Sequence, residues 1–173
     1  MMNRNSSMQL TRAADYGVRV MIHLVSLPVH QRAMLPALAV ATGAPLSFLS
    51  KVLQALAAAE LISSRRGKSG GFAILPQGRK ASMYDVIAAI DGPICLNVCL
   101  IAGKSCARKV TCPSHPVWAR AQRAMLEVLV NASIADLGAQ ALKRGQATPQ
   151  ATAASAAIEE RADSGDLAHQ SVA

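Results

Sequence analysis

The four cysteines of this chain, Cys95, Cys99, Cys106 and Cys112, fall within 18 residues, and His115 stands three residues after the last of them. A soft metal or a metal–sulfur cluster needs several thiolates brought to one centre, and a single short loop can supply them. Three other chemistries suit the same residues. Three cysteines and a histidine can hold zinc, Cys95 can act as the resolving partner of a thiol redox switch, and the thiols can be structural only. Lys104, Arg108 and Lys109 lie inside the same segment, where their charge would offset that of bound thiolates and lower the thiol pKa values. Trp118 reads as a packing anchor, and His23 and His30 as structural or surface histidines.

The segments flanking the thiols say what positions them. Thr11 is a helix N-cap candidate, and Leu10, Ala14, Gly17, Val18, Met21, Leu24 and Val25 form a buried stripe at three- and four-residue spacing, ended by Pro28. A short helix from about Leu35 to Ala41 takes Pro36 in its first turn. A turn at Thr42-Gly43-Ala44 leads to a helix from Pro45 to Ala59. Leu49, Val52, Leu53 and Leu56 face inward there, while Ser47, Ser50, Lys51 and Gln54 are left for a partner. Two short helices joined by a Gly-containing turn fit a helix-turn-helix, whose second helix enters the DNA major groove. Gln54 has the paired donor and acceptor that reads adenine.

Leu61–Ser64 and Phe72–Leu75 read as two strands around the tip Arg65-Arg66-Gly67-Lys68-Ser69-Gly70-Gly71. Glycines let that backbone approach a phosphate, and Arg65, Arg66 and Lys68 supply the charge for the backbone or an A·T-rich minor groove. A helix-turn-helix followed by a basic hairpin is a winged helix. Ser82-Met83-Tyr84-Asp85 resembles a capping box and starts a helix that stops at Asp91-Gly92-Pro93. After the cysteine loop, a longer helix runs from about His115 to Asn131, with Val117, Ala121, Ala124, Met125, Val128 and Leu129 on one face. Ser133 caps a last short helix to about Lys143. The fold expected is mostly α with a small β-hairpin wing: a winged helix-turn-helix over 8–91, a cysteine-rich loop over 92–114, a dimerisation helix region over 115–143, and a disordered tail over 144–173. The long apolar stripe is expected to pair with a second subunit, to pack back on the first helix, or to do both.

Net charge is +8 and uneven: residues 1–143 carry 16 Lys+Arg against 6 Asp+Glu, and residues 144–173 carry 2 against 4. A basic body points to a polyanion, most simply double-stranded DNA with a palindromic operator matching a homodimer. The N-terminus lacks the apolar stretch of a signal peptide, and no run is long enough to span a bilayer, so a cytoplasmic protein with no membrane partner is expected. No Ser–His–Asp set, nucleotide-phosphate loop or carboxylate pair marks an enzyme.

Taken in order, MQLTRAADYGVRVM, LSFLSKVLQALAAAELISSRRGKSGGF, SMYDVIAAIDGP, CPSHPVW and NASIADL are similar to the motifs of the Rrf-two family, the iron–sulfur winged-helix regulators of the IscR and NsrR type, over roughly residues 8–142. The resemblance implies a dimeric DNA-binding repressor or activator, and for this chain a repressor is expected, whose DNA affinity follows a cluster sensing redox state, nitric oxide or cluster supply. By position Cys99, Cys106 and Cys112 match the family's three cysteine ligands. Their first spacing is six residues where five is common, and Cys95 is additional and a possible alternative ligand. His115 matches the fourth ligand of the IscR-like type. Asp15 matches the position from which a partner subunit's aspartate reaches the cluster in the NsrR-like type. A two-iron and a four-iron cluster both remain open. The alternative is a cluster-free winged-helix regulator that responds to thiol oxidation, zinc, a metabolite or a partner protein.

Overall fold

The computed structural model describes residues 10–67, 70–101 and 106–145. Helix α1 (Arg12–Ser26) starts where Thr11 accepts a hydrogen bond from the Ala14 amide, and Asp15 in its first turn complements the helix dipole. Its buried face is Ala14, Gly17, Val18, Val20, Met21 and Leu24. Leu10 departs from the expected stripe: it precedes the helix and is 45% exposed. Helix α2 (Leu35–Thr42) ends on Gly43, whose φ of 68° is the left-handed cap that lets the chain reverse. Pro45 then caps α3 (Leu46–Ala58), which buries Leu49, Val52, Leu53 and Leu56 as the periodicity predicts.

Strands β1 (Ile62–Arg65) and β2 (Gly71–Ile74) pair antiparallel with Ile62 opposite Ile74 and Arg65 opposite Gly71. Both begin one residue away from the sequence expectation. Leu61 is held out of β1 because its amide closes the end of α3 by donating to the Leu56 carbonyl at 3.0 Å. Gly71 joins β2 with φ at 106°, lying so close to the backbone of Ala33 that a Cβ would meet its carbonyl oxygen at 2.7 Å. Ala33 itself bridges Phe72, so a third extended segment completes the wing.

Helix α4 (Pro76–Lys80) has no counterpart in the sequence reading; Pro76 at its start was its one local signal. Helix α5 (Met83–Asp91) carries the expected capping box, with Ser82 and Asp85 exchanging bonds. A 3₁₀ turn at Val98–Leu100 follows in the cysteine segment, then α6 (His115–Asn131) and α7 (Ile134–Lys143). It is α7, not the long α6, that packs back on α1: Gly138 sits against Val25, and Ile134 is fully buried. Helix α6 lies along α5 and the 3₁₀ turn and buries none of its residues. No single helix among the described residues is long and apolar enough to cross a membrane.

Candidate functional site

On α3 the residues opposite the core are those the sequence offers to DNA. Ser47, Lys51 and Gln54 are exposed on one face, as spacings of four and three residues require. Ser50 is half-buried, and its hydroxyl donates to the Leu46 carbonyl at 3.2 Å. The start of α3 is braced against α1. Phe48 meets Tyr16 edge-on at 5.7 Å between ring centroids, an aromatic geometry favoured by the ring quadrupoles. Arg19 lies over Tyr16 at 5.8 Å and donates to the Thr42 carbonyl in the turn between α2 and α3. Asp15 pairs with Arg19 at 2.8 Å, so within this chain it steadies the helix-turn-helix.

The wing presents Arg65 and Arg66 to solvent beside Gly67, whose φ is 101°. Lys68, the third expected cation, lies outside the described residues. Arg32 was missed from sequence: it donates to the Gly71 carbonyl at 2.9 Å and to Ser63 Oγ at 3.2 Å, pinning both strands. No local pattern marks it, because its partners are 39 and 31 residues away.

The cysteine segment is rooted at two points that the sequence did not reveal. Asp91, the last residue of α5, accepts from the Thr11 hydroxyl at 2.7 Å and from the Thr11 amide. Gln122 on α6 accepts from the Leu96 amide at 3.0 Å. Cys95, Cys99, Cys106 and Cys112 are all free and half-buried. Residues 102–105, between Cys99 and Cys106, lie outside the described residues. Among the described residues, no three Cys, His, Asp or Glu side chains converge as a metal-binding group.

Cys112 and His115 are brought together at the start of α6. The His115 amide donates to the Cys112 carbonyl at 3.2 Å, and Cys112 Sγ lies 3.1 Å from Ser114 Oγ. The Ser114 hydroxyl, the Ser114 and His115 amides and the charge of Arg108 together hold the Cys112 thiol below its usual pKa. That favours the thiolate, the form that binds metal. Among the described residues, His115 Nε2 is buried without a hydrogen-bond partner. A buried polar nitrogen left unpaired is unfavourable. One thiol held below its usual pKa, Cys112, and an imidazole three residues on, His115, are donors of the kinds that an iron–sulfur group takes.

Residues 10–140 match the family described as Rrf2, iron-dependent transcriptional regulator. This chain belongs to the Rrf2 family. Rv1287 of Mycobacterium tuberculosis, named as an HTH-type transcriptional regulator, is 30% identical over 135 residues, covering 78% of this chain and 84% of the relative. The protein rrf2 of Nitratidesulfovibrio vulgaris is 25% identical, covering 75% of this chain and 87% of its own. Among solved structures, IscR of T. potens superposes with a TM-score of 0.58 at 25% identity, covering 77% of this Rrf2 chain and 88% of its own. CymR of Staphylococcus aureus superposes with a TM-score of 0.57 at 25% identity, covering 74% and 96%. The chain is therefore an Rrf2-family transcriptional regulator with the winged-helix fold, as the motif order implied.

Proposed function

We propose that this Rrf2 protein is a homodimeric DNA-binding repressor whose operator affinity is set by an iron–sulfur cluster. Cys99, Cys106 and Cys112 would hold the cluster, with His115 as fourth ligand, ahead of Asp15, and with Cys95 in reserve. The observation that carries this reading is the buried His115 Nε2, unpartnered among the described residues, three residues from the low-pKa Cys112 thiol. Asp15 is the weaker candidate because it is already paired with Arg19. When bound, such a cluster supplies an iron centre that reacts with oxidants or nitric oxide. The chain's own part is to orient the ligands through the start of α6 and to tie the loop to α5, α1 and Gln122.

Protein purified without oxygen should absorb in the visible and contain near-matching iron and acid-labile sulfide. Cys112→Ser should lose both, and His115→Ala should retain less iron. A colourless, iron-free protein after attempted reconstitution would refute the cluster. It would leave the second reading, a thiol-based regulator, which the accessible Cys112 thiol favours.

In the DNA complex, Ser47, Ser50, Lys51 and Gln54 would face bases or nearby phosphates, and Arg65, Arg66 and Lys68 the backbone or minor groove. Arg66→Ala should weaken binding across sequences and lower the salt slope by about 1. Gln54→Ala should relax specificity at one base pair. The dimer would use α6, where Val117 and Val128 are 56% and 69% exposed. Val128→Asp should lower the mass measured by sedimentation equilibrium towards that of a single chain.

A further inference from the structure

A cleft of about 580 Å³ opens at the wing root, and its lining includes no residue of the cysteine segment or of α3. That volume falls in the range of small-molecule sites, roughly 300–1,000 Å³. Its apolar lining includes Val29, Ile74 and Pro76, and three basic residues, His30, Arg32 and Arg79, line it as well. None of its lining residues is acidic.

Both guanidiniums are fixed by the fold before any ligand arrives. Arg32 donates to the Gly71 carbonyl and Ser63 Oγ, and Arg79 donates to the Val25 carbonyl at 3.3 Å. A guanidinium has five N–H donors in a rigid fork. Those bonds engage two of the five in Arg32 and one in Arg79, which leaves donors able to grip a carboxylate. Half-burial of both side chains strengthens such a grip by reducing competition from water.

His30 supplies an independent observation. The Gln31 amide donates to the Pro28 carbonyl at 3.0 Å, closing a turn in which His30 takes φ of 71°. A proline-led turn with positive φ at its third residue is a type II turn, and that position favours glycine. Holding a non-glycine residue there is unfavourable by about 1 kcal/mol or more. A locally unfavourable residue whose side chain lines a basic cleft is what a binding role would retain.

We infer that this cleft is a binding site for a small carboxylate carrying an apolar body. The carboxylate meets Arg79, Arg32 and His30, and the apolar body lies on Val29, Ile74 and Pro76. Inorganic phosphate would satisfy the cations and leave that apolar lining unused. Because Arg32 also pins both wing strands, an occupant is linked directly to the hairpin that carries Arg65 and Arg66. The site involves none of the cysteines, so it stands or falls separately from the cluster.

The test uses the full chain and two matched probes, benzoate and its uncharged analogue benzamide, titrated by calorimetry and followed by amide chemical shifts. Benzoate should bind with a Kd of about 1 mM or below, shifting the amides of Ser63, Ala73 and Ile74, and benzamide at least about tenfold more weakly. Arg79→Gln should weaken benzoate by about tenfold or more. His30→Gly relieves the turn, so it should raise the Tm while weakening benzoate, a combination that a purely structural histidine would not give. Equal binding of the two probes, no binding of either, or unchanged benzoate affinity in His30→Gly would overturn the assignment. So would an Arg79→Gln protein that keeps its benzoate affinity and loses affinity and salt slope for duplex DNA, which would give the cleft to the DNA backbone.

Discussion

The winged helix-turn-helix and the segment from Cys95 through α6 are held in place by different means. In the first, Val20, Met21, Leu38, Leu49 and Leu56 are essentially removed from water, and Arg19, Arg32 and Arg79 each tie a side chain to a distant carbonyl. In the second, the 17-residue α6 buries no residue, and Val110 in the loop is 97% exposed. Most helical stability in proteins comes from burying an amphipathic face, so α6 is incomplete as a lone chain. The contrast separates a unit that buries its own apolar face from a segment that leaves much of its apolar surface exposed. Two histidines show it in miniature. Burial holds the His23 imidazole below its usual pKa, whereas half-buried His115 has a buried Nε2 with no partner among the described residues.

The sharpest way to break the contrast is to remove core volume. Leu56→Ala should destabilise the chain by about 2–5 kcal/mol in chemical denaturation, and a smaller loss would mean that the core is looser than it looks. Gly78→Ala comes next. Its Cβ would stand 2.1 Å from the Leu61 carbonyl oxygen, a backbone atom that cannot swing aside. A loss of about 1–3 kcal/mol is expected, with α4 pushed from β1 and detectable as faster amide exchange there. Asp91→Ala releases the clasp on Thr11 where the two regions join. About 1 kcal/mol should go, with faster exchange confined to the start of α1.

Acidification probes the core through His23. Unfolded, its imidazole titrates in the ordinary range; folded, the value is lower, so between the two the unfolded chain binds more protons. The contribution is fully present above the ordinary value and is lost as pH falls through the folded one. His23→Gln should flatten the dependence of stability on pH over that window. Val110→Ser should change stability by no more than about 0.5 kcal/mol, and a larger loss would show that the loop is packed after all.

Much of this was legible in the residues. The caps at Thr11, Ser82 and Ser133, the stripe of α3 and the left-handed turn at Gly43 are local, and each is recorded within a few residues of where it acts. Leu10 failed because periodicity cannot say where a helix begins to touch a core. Helix α4 escaped because five residues are too few to show a period. Arg32, Gln122 and the Asp91–Thr11 clasp escaped because their partners lie 26 to 80 residues away. The candidate metal ligands were legible as types and spacing only.

The sequence by itself determined where the longer helices fall, which face of α3 stays exposed, where the basic turn falls, and that four thiols share one segment. These follow from short-range sterics, capping and the period of apolar residues. Only the tertiary structure decided that α7 rather than α6 closes over α1. It alone buried His115 Nε2 with no partner among the described residues and set His30, Arg32 and Arg79 around one cleft. Those outcomes depend on which surfaces exclude water from one another, and that is a property of the packed chain rather than of any window within it.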